Sequence, residues 1–206
     1  MSAKIVIVDY GMGNLNSVKR ILSRLKIDVS ISAHPEDIVA ADKIILPGVG
    51  HFSQAMANLH TLKLLDPLNN AVLVEKKPIL GICLGMQLMA KKSEEGNVNG
   101  LGWIDADVVR FNIHDKLKYK IPHIGWNQIS MSKPSALMTD INPDAEFYFV
   151  HSYHFLNRNP EDILNTTEYE YSFTSAIEKG NIFGVQYHPE KSHDAGEQLF
   201  KNFCNL

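Results

Sequence analysis

Residues 79–85 read ILGICLG, and the next residues, 86–91 (MQLMAK), are strong helix formers. The apolar start indicates a short buried strand, so we expect the chain to turn sharply into a helix at Cys83. Gly81 and Gly85 relieve the crowding of such a turn, because neither carries a side chain. A nucleophile on a strand-to-helix turn is a nucleophile elbow, where unpaired helix N–H groups favour a thiolate and can bind an oxyanion. A buried structural cysteine is the alternative that this stretch alone leaves open.

Residues 182–190 (IFGVQYHPE) supply the groups that such a nucleophile needs. The apolar run at 182–185 indicates a strand, and a histidine and a carboxylate follow it as His188 and Glu190. Pro189 lies between them and disfavours a helix, and side chains two apart on extended backbone point to the same side. His188 can therefore face the thiolate while Glu190 binds the other imidazole nitrogen. This is the nucleophile–base–orienter arrangement of a catalytic triad.

These two motifs resemble those of the class I (triad) glutamine amidotransferases, and residues 46–52 (LPGVGHF) resemble the oxyanion strand of that family. The resemblance extends from about Lys4 to the C-terminus and implies hydrolysis of the side-chain amide of L-glutamine. The catalytic residues that it implies are Cys83, His188 and Glu190. The backbone N–H groups expected to hold the oxyanion belong to Leu84 and to Val49 or Gly50. The residues expected to bind the glutamine are Gln87, Glu95, Ser152 and Tyr153.

Three further segments, 14–18, 122–127 and 147–153, resemble the members of this family that serve L-histidine biosynthesis. Ammonia released into water becomes non-nucleophilic ammonium, so a biosynthetic glutaminase needs a closed route to an acceptor. The resemblance implies that the acceptor site lies on a separate partner, a (β/α)8-barrel cyclase. That partner's products are imidazole glycerol phosphate and aminoimidazole carboxamide ribotide. The residues expected to lie at the partner interface are Asn14, Trp126 and Lys191.

Strand and helix patterns alternate in the first half of the chain. Apolar, β-branched runs predict strands at 5–9, 29–31, 43–46 and 79–82, and helical stripes predict helices at 15–25, 35–41, 52–59 and 62–73. The helix that starts at Cys83 is expected to end at 93–96. This alternation predicts a doubly wound, mostly parallel α/β sheet of the flavodoxin-like type, with ligands at the carboxyl ends of the strands.

The pattern changes after Gly100, where short strands replace the helices. They are predicted at 103–111, 121–130, 146–150 and 171–177, and a helix at 196–205 closes the chain. We read these strands as an antiparallel extension of the sheet within a single domain, residues 1–206. Residues 116–120 (KLKYK) are expected to form an exposed edge strand or hairpin guarded by lysines.

The composition excludes several classes of function. A net charge of −3 and a sequence pI of about 6.3 disfavour binding to nucleic acid or to an anionic membrane surface. No apolar run approaches the roughly 20 residues of a membrane helix, and the two cysteines, Cys83 and Cys204, favour a cytoplasmic protein. No cofactor is expected. No metal is expected either, because His123, His151 and His154 lack a metal-binding spacing.

Other functions remain open at this point. A related glutaminase that supplies ammonia for the amidation of surface-polysaccharide sugars would have the same triad. A stand-alone γ-glutamyl peptide hydrolase would share the nucleophile. A non-catalytic, flavodoxin-like binding protein would share the fold, but it would have no use for the motif His188-Pro189-Glu190.

Overall fold

The structure, a computed structural model, describes residues 3–206. Met1 and Ser2, the first residues of the expected domain, lie outside the described residues. The strands are β1 (Ile5–Val8), β2 (Val29–Ser32), β3 (Lys43–Gly48), β4 (Ile79–Cys83), β5 (Lys92–Ser93), β6 (Val98–Asn99), β7 (Ala106–Arg110), β8 (His123–Gln128), β9 (Ser130–Met131), β10 (Glu146–His151), β11 (Tyr153–Asn157), β12 (Ile163–Glu168), β13 (Ser172–Lys179) and β14 (Ile182–Val185). The α-helices are α1 (Leu15–Arg24), α2 (Pro35–Val39), α3 (Phe52–Thr61), α4 (Leu65–Asn69), α5 (Leu84–Gln87) and α6 (His193–Asn205).

Five parallel strands form one half of the large sheet, in the order β2-β1-β3-β4-β14. Helices cover both faces of this half. Alternate side chains of β1 point to opposite faces, so Ile5 and Ile7 pack in the cluster that contains α1 and α6. Val6 and Val8 pack in the cluster that contains α2, α3 and α4. The prediction of a doubly wound parallel sheet is therefore confirmed.

The other half of the sheet is mostly antiparallel and continues through β13, β11 and β7, with β12 beside β13. The predicted antiparallel extension is thus present, but the expectation that β8 and β10 belong to it was wrong. These two strands pair with each other in a separate two-stranded sheet. Phe147 and Phe149, on the buried side of β10, pack into the cluster with α1 and α6. Burial of these aromatic rings places the small sheet over the core instead of at the sheet edge.

The helix that begins at Cys83 is much shorter than expected. It ends at Gln87, and residues 92–93 form the strand β5 beside β7. The carbonyl groups of residues 88–90 accept hydrogen bonds from the backbone N–H groups of Leu101, Gly102 and Ile104. A helix continuing to residue 96 would need those carbonyls for its own ladder. The returning chain therefore competes successfully for them and ends the helix.

Residues 116–118 form a turn and no strand includes residues 116–120, so the expectation of an edge strand or hairpin was wrong. The Asp115 carboxylate accepts hydrogen bonds from the N–H groups of Leu117 and Lys118. This bonding of a side chain to nearby backbone favours a turn over a strand. Leu117 is 92% exposed, so no apolar burial competes with the turn.

The closing helix was predicted nearly correctly. α6 begins at His193, three residues before the expected start, and ends at Asn205 as expected. Cys204 is half-buried and packs against the cluster of α1 and α6, and its thiol is free. Within residues 3–206, no helix is long and apolar enough to cross a membrane.

Candidate active site

Cys83 is the last residue of β4, which lies between β3 and β14 in the parallel half of the sheet. Its backbone has φ +53° and ψ −109°, a conformation that residues other than glycine rarely adopt. The helix α5 follows at once. A cysteine held in a strained conformation between a strand and a helix has the geometry of a nucleophile elbow.

The two glycines around Cys83 leave no room for a side chain. A Cβ atom on Gly81 would lie 2.7 Å from the backbone nitrogen of Met86. A Cβ atom on Gly85 would lie 1.7 Å from the carbonyl oxygen of Leu46 in β3. Both distances are far below van der Waals contact, so the steric role that the sequence predicted for these glycines is present in the structure.

His188 follows β14 and lies at the same sheet edge as Cys83, because β14 pairs in parallel with β4. Its Nδ1 atom lies 2.7 Å from Oε1 of Glu190, and both side chains are almost fully buried. The N–H group of His188 donates to the carbonyl of Tyr148, and its carbonyl accepts from Oγ of Ser192. The imidazole is therefore held through its backbone and through one of its ring nitrogens.

The expected extended backbone between His188 and Glu190 was wrong. Residues Pro189–Lys191 form a single 3-10 turn, with Pro189 at its first position. Proline is compatible with that position, because its preset φ suits a helical turn and its missing N–H needs no partner there. The turn, not a strand, brings the imidazole and the carboxylate together.

The charges around His188 decide its protonation. Burial lowers the pKa of the imidazole, but the negative charges of the Cys83 thiolate and the Glu190 carboxylate outweigh burial and raise that pKa to about 10. His188 therefore holds its proton at neutral pH and can act as a proton donor. Its Nε2 atom is buried, faces the Cys83 sulfur and has no other partner among residues 3–206, so it can serve a substrate.

Cys83 and His188 line one cavity with a volume of about 400 Å³. Nine residues predicted from the sequence line it, namely Val49, Gly50, Cys83, Leu84, Gln87, Glu95, Ser152, Tyr153 and His188. Glu190 is not among the lining residues and lies against Nδ1 of His188. Three lining residues were not predicted, namely Pro122, Val150 and His151. All three lie in the segments 122–127 and 147–153 that carry the resemblance, but no role at the site was assigned to them.

The predicted oxyanion segment runs beside the nucleophile. In the pairing of β3 with β4, Gly48 lies directly across from Cys83, so the chain enters the cavity at Val49 and Gly50. Gly50 has φ +108°, which favours glycine. Leu84 is the first residue of α5, and the N–H groups of a first helical turn have no partner within the helix.

Gln87 belongs to a chain of buried amides. Its Nε2 atom donates to the carbonyl of Tyr153 at 3.0 Å and to Oε1 of Gln186 at 2.9 Å. Nε2 of Gln186 in turn donates to Sγ of Cys83 at 3.6 Å. Gln186 is fully buried, and sequence reasoning missed it although it lies in the motif that contains His188. Both donors of Gln87 are thus used inside the protein.

Glu95 is the one carboxylate among the residues that line the cavity. Its Oε2 atom accepts a hydrogen bond from the N–H group of Phe52, at the start of α3, at 2.8 Å. This contact holds the carboxylate in place beside the cavity. In the part of the chain that the structure describes, no group of three or more His, Cys, Asp or Glu side chains is placed to hold a metal ion.

Two of the three predicted interface residues lie together. Trp126 of β8 pairs in register with Tyr148 of β10, and the Lys191 ammonium lies 5.3 Å from the centre of the Tyr148 ring. The Trp126 indole also stacks on His193. Asn14 precedes α1, and across residues 3–206 no hydrogen bond or ring contact joins its side chain to this pair. The structure therefore groups Trp126 with Lys191, and α1, which follows Asn14 directly, approaches the turn that contains Lys191.

Known proteins share both the sequence and the fold of this chain. The model of the family Glutamine amidotransferase class-I matches residues 6–206. "Imidazole glycerol phosphate synthase subunit HisH 2" of Methanococcus maripaludis is 50% identical over 97% of this chain and 98% of its own. The protein of the same name from Pseudomonas aeruginosa is 47% identical, over 98% and 99% of the two chains. The structure of PurLQS from Thermotoga maritima has the same fold, with a TM-score of 0.74 at 16% identity over 100% of this chain and 99% of that chain. This chain belongs to the class I glutamine amidotransferase family.

Proposed function

We propose that this protein is the glutaminase subunit of imidazole glycerol phosphate synthase. It hydrolyses L-glutamine to glutamate and ammonia and passes the ammonia to a (β/α)8-barrel cyclase in L-histidine biosynthesis. The observation that carries the proposal is the single cavity in which a strained Cys83 meets His188, with Glu190 bound to the imidazole. The relatives that cover nearly the whole chain at 47–50% identity are named as subunits of this synthase.

The proposed chemistry uses Cys83 and His188 in turn. The Cys83 thiolate attacks the amide carbon of the glutamine side chain, and the carbonyl oxygen takes up the displaced electron pair. Backbone N–H groups of Leu84 and of Val49 or Gly50 hold this oxyanion. The carbon–nitrogen bond then breaks as Nε2 of His188 gives its proton to the departing nitrogen, which leaves as ammonia. Water then attacks the carbon of the resulting thioester and gives a proton to His188. The carbon–sulfur bond breaks, which returns the Cys83 thiolate and releases glutamate.

The polar groups of the cavity suit the amino-acid end of glutamine. The Glu95 carboxylate would attract the α-ammonium group, and its contact with Phe52 keeps it in position. Ser152 and Tyr153 lie on the same cavity, and Gln87 holds the carbonyl of Tyr153. Substrate binding and nucleophile placement are therefore connected through buried amides.

The outer face of the small sheet β8–β10 supports a partner interface. Ile124 and Trp126 lie on one face of β8 and are 58% and 44% exposed. Exposed apolar side chains next to each other are typical of a protein-binding surface. Pro122 and Val150, at the ends of the same two strands, line the cavity. A cyclase bound at Trp126 and Lys191 would therefore lie beside the site where ammonia is released, and we place Asn14 at the edge of that interface.

The pH dependence of glutamine hydrolysis should report on Glu190. His188 acts as a proton donor only while protonated, so kcat/KM should fall as the pH rises through about 10. The Glu190→Gln variant removes one of the two negative charges that raise this pKa. The alkaline limb should then move to lower pH, and activity should fall less than it does when Cys83 is removed. Rates from roughly pH 6 to 11 measure this shift, and an alkaline limb that stays in place would contradict the assigned contact.

The proposed function is tested by adding a partner that carries an acceptor site for the ammonia. Purified subunit is combined with a histidine-pathway cyclase, and formation of imidazole glycerol phosphate is followed with glutamine as the nitrogen source. We expect product with the cyclase present, and an ammonium salt should replace glutamine. Absence of glutamine hydrolysis in every mixture would support the non-catalytic alternative, whereas hydrolysis of γ-glutamyl peptides without any cyclase would support the peptide hydrolase.

The names of both relatives quoted above carry the number 2, which favours a second candidate acceptor for the ammonia. Such numbers distinguish several subunits of one kind, and a second copy can serve another pathway. The alternative acceptor is an amidated surface-polysaccharide sugar. Transfer of glutamine nitrogen by a sugar-specific partner, with none by the histidine-pathway cyclase, would favour it. For either acceptor we propose a cytoplasmic protein whose catalytic domain spans residues 1–206, in keeping with the two unpaired cysteines.

A further inference from the structure

Two buried histidines form a continuous hydrogen-bond chain behind the cavity. Nδ1 of His151 lies 2.8 Å from the carbonyl oxygen of Tyr153, and Nε2 of His151 lies 3.1 Å from Nδ1 of His123. Nε2 of His123 lies 3.4 Å from Nδ2 of Asn127, which also donates to the carbonyl of Glu168. Both imidazoles are almost fully buried, and the proposed mechanism uses neither.

The hydrogen bonds of this chain all run from donor to acceptor in one consistent direction. A carbonyl oxygen only accepts, so Nδ1 of His151 must carry a hydrogen, and in the neutral ring that burial favours, Nε2 accepts. Nδ1 of His123 must then donate, and its Nε2 must accept from the Asn127 amide. Each neutral ring therefore carries its hydrogen on Nδ1. Burial agrees with this assignment, because it lowers the pKa of His123 to about 4 and that of His151 well below the usual value.

The hydrogen-bond chain runs from the cavity to the exposed face of the small sheet. One end is the carbonyl of Tyr153, in the segment 150–153 that lines the cavity. The other end is Asn127, which is adjacent to the exposed Trp126 on β8. The same segment is held at two further points: the carbonyl of Ser152 accepts from Phe111, and that of Tyr153 also accepts from Gln87. Val150 and His151 already pair with β8 in the small sheet, and the histidine side chains extend that hold to the carbonyl of Tyr153.

We infer that His151 and His123 are positioning residues for glutamine, which fix the backbone of residues 150–153 so that Ser152 and Tyr153 can bind the amino-acid end. This inference rests on the proposed function and adds to it. The histidines touch neither the nucleophile nor the scissile amide in this role. Their loss should therefore weaken glutamine binding and leave the chemical step nearly unchanged.

Two substitutions at position 151 separate the two hydrogen bonds. In His151→Asn the amide can take the place of Nδ1 and keep the bond to Tyr153. In His151→Gln the amide can take the place of Nε2 and keep the bond to His123, but the bond to Tyr153 is lost. We expect His151→Gln to raise KM for glutamine about tenfold with kcat within about twofold of the parent, as the loss of one buried hydrogen bond implies. His151→Asn should stay near the parent KM.

A third variant tests the far link of the chain. His123→Phe fills the same place among Phe149 and Tyr169 but cannot donate to His151. Nε2 of His151 then receives no hydrogen bond from His123, so this bond no longer fixes the hydrogen of His151 on Nδ1. KM for glutamine should rise several-fold. If His151→Gln does not fold, the KM of His123→Phe still tests the inference.

The matched control is His154→Asn. His154 is buried against the ring of Phe111, which His151 also contacts. Its nitrogens bind the carbonyl of Phe155 and the hydroxyl of Tyr171, which are not part of the hydrogen-bond chain. It should lower the melting temperature without changing KM. An unchanged KM in His151→Gln and His123→Phe, or an equal rise in His154→Asn, would overturn the inference. Inactivity of the parent protein towards glutamine would instead overturn the proposed function, so the two failures can be distinguished.

Discussion

In complex with its cyclase, the Cys83→Ala variant is expected to lose glutamine-dependent turnover by roughly 10⁴-fold or more. The variant removes the sulfur that forms the thioester, and neither His188 nor the oxyanion N–H groups can replace it. Turnover with an ammonium salt should persist, because the acceptor chemistry belongs to the cyclase. Product formation measured with each nitrogen source, in the same complex, gives both results.

The second free cysteine of the protein provides the control for this experiment. Cys204→Ala makes the same substitution at the other free cysteine. The carbonyl of Cys204 accepts from Lys43 at the start of β3, whereas Gly48 at the other end of β3 pairs with Cys83. It should keep glutamine-dependent turnover within about twofold of the parent, in line with a substitution away from the site. Near-parent glutamine turnover in Cys83→Ala would remove the basis of the proposed mechanism.

The second large effect is expected at Gly85. A Cβ atom in Gly85→Ala would lie 1.7 Å from the carbonyl oxygen of Leu46, so α5 and β3 would have to separate. Backbone cannot yield as a flexible side chain does, and we expect a loss of about 3 kcal/mol or more in the free energy of unfolding. For a chain of this length that loss lowers the melting temperature by roughly 6–12 °C. Any protein that still folds should have lost most of its glutaminase activity, because the same shift moves Cys83.

Gly102→Ala is the matched control for Gly85→Ala. Gly102 has φ +71°, and a Cβ atom there would have no neighbour within 4 Å. Its cost is therefore the backbone conformation alone, about 1 kcal/mol. Urea or thermal unfolding of both variants compares the two costs, and activity assays compare the effects on the site. Equal melting temperatures for Gly85→Ala and Gly102→Ala would show that the contact with Leu46 does not determine stability.

Two segments depart from the predicted structure for the same reason. The helix after Cys83 was predicted to reach residues 93–96 because its residues favour helix, but the returning segment at 101–104 takes its carbonyl groups. Residues 116–120 alternate like a strand, but Asp115 turns the chain there. In both places a hydrogen-bond partner outside the segment decided the outcome, and local propensity was too weak to oppose it.

The buried networks of the site were also beyond sequence reasoning. Gln186 lies two residues before His188, yet nothing in its neighbours shows that it bonds both Gln87 and Cys83. The link between His123 and His151 joins residues 28 positions apart on paired strands. The sequence shows that such residues exist, but their contacts depend on how the strands pair.

Nine of the residues that line the cavity were predicted from the resemblance to the family. By itself, the sequence determined the parallel half of the sheet, the turn at Cys83 and the pairing of His188 with Glu190. These features follow from short-range requirements: apolar runs that must be buried, glycines where a Cβ atom cannot fit, and a histidine and a carboxylate two residues apart. Only the tertiary structure decided that β8 and β10 form a sheet of their own, that Pro189–Lys191 turns, and which amides and imidazoles bond to one another. Those outcomes depend on groups brought together from distant parts of the chain, because each buried donor and acceptor takes the partner that the fold places within reach.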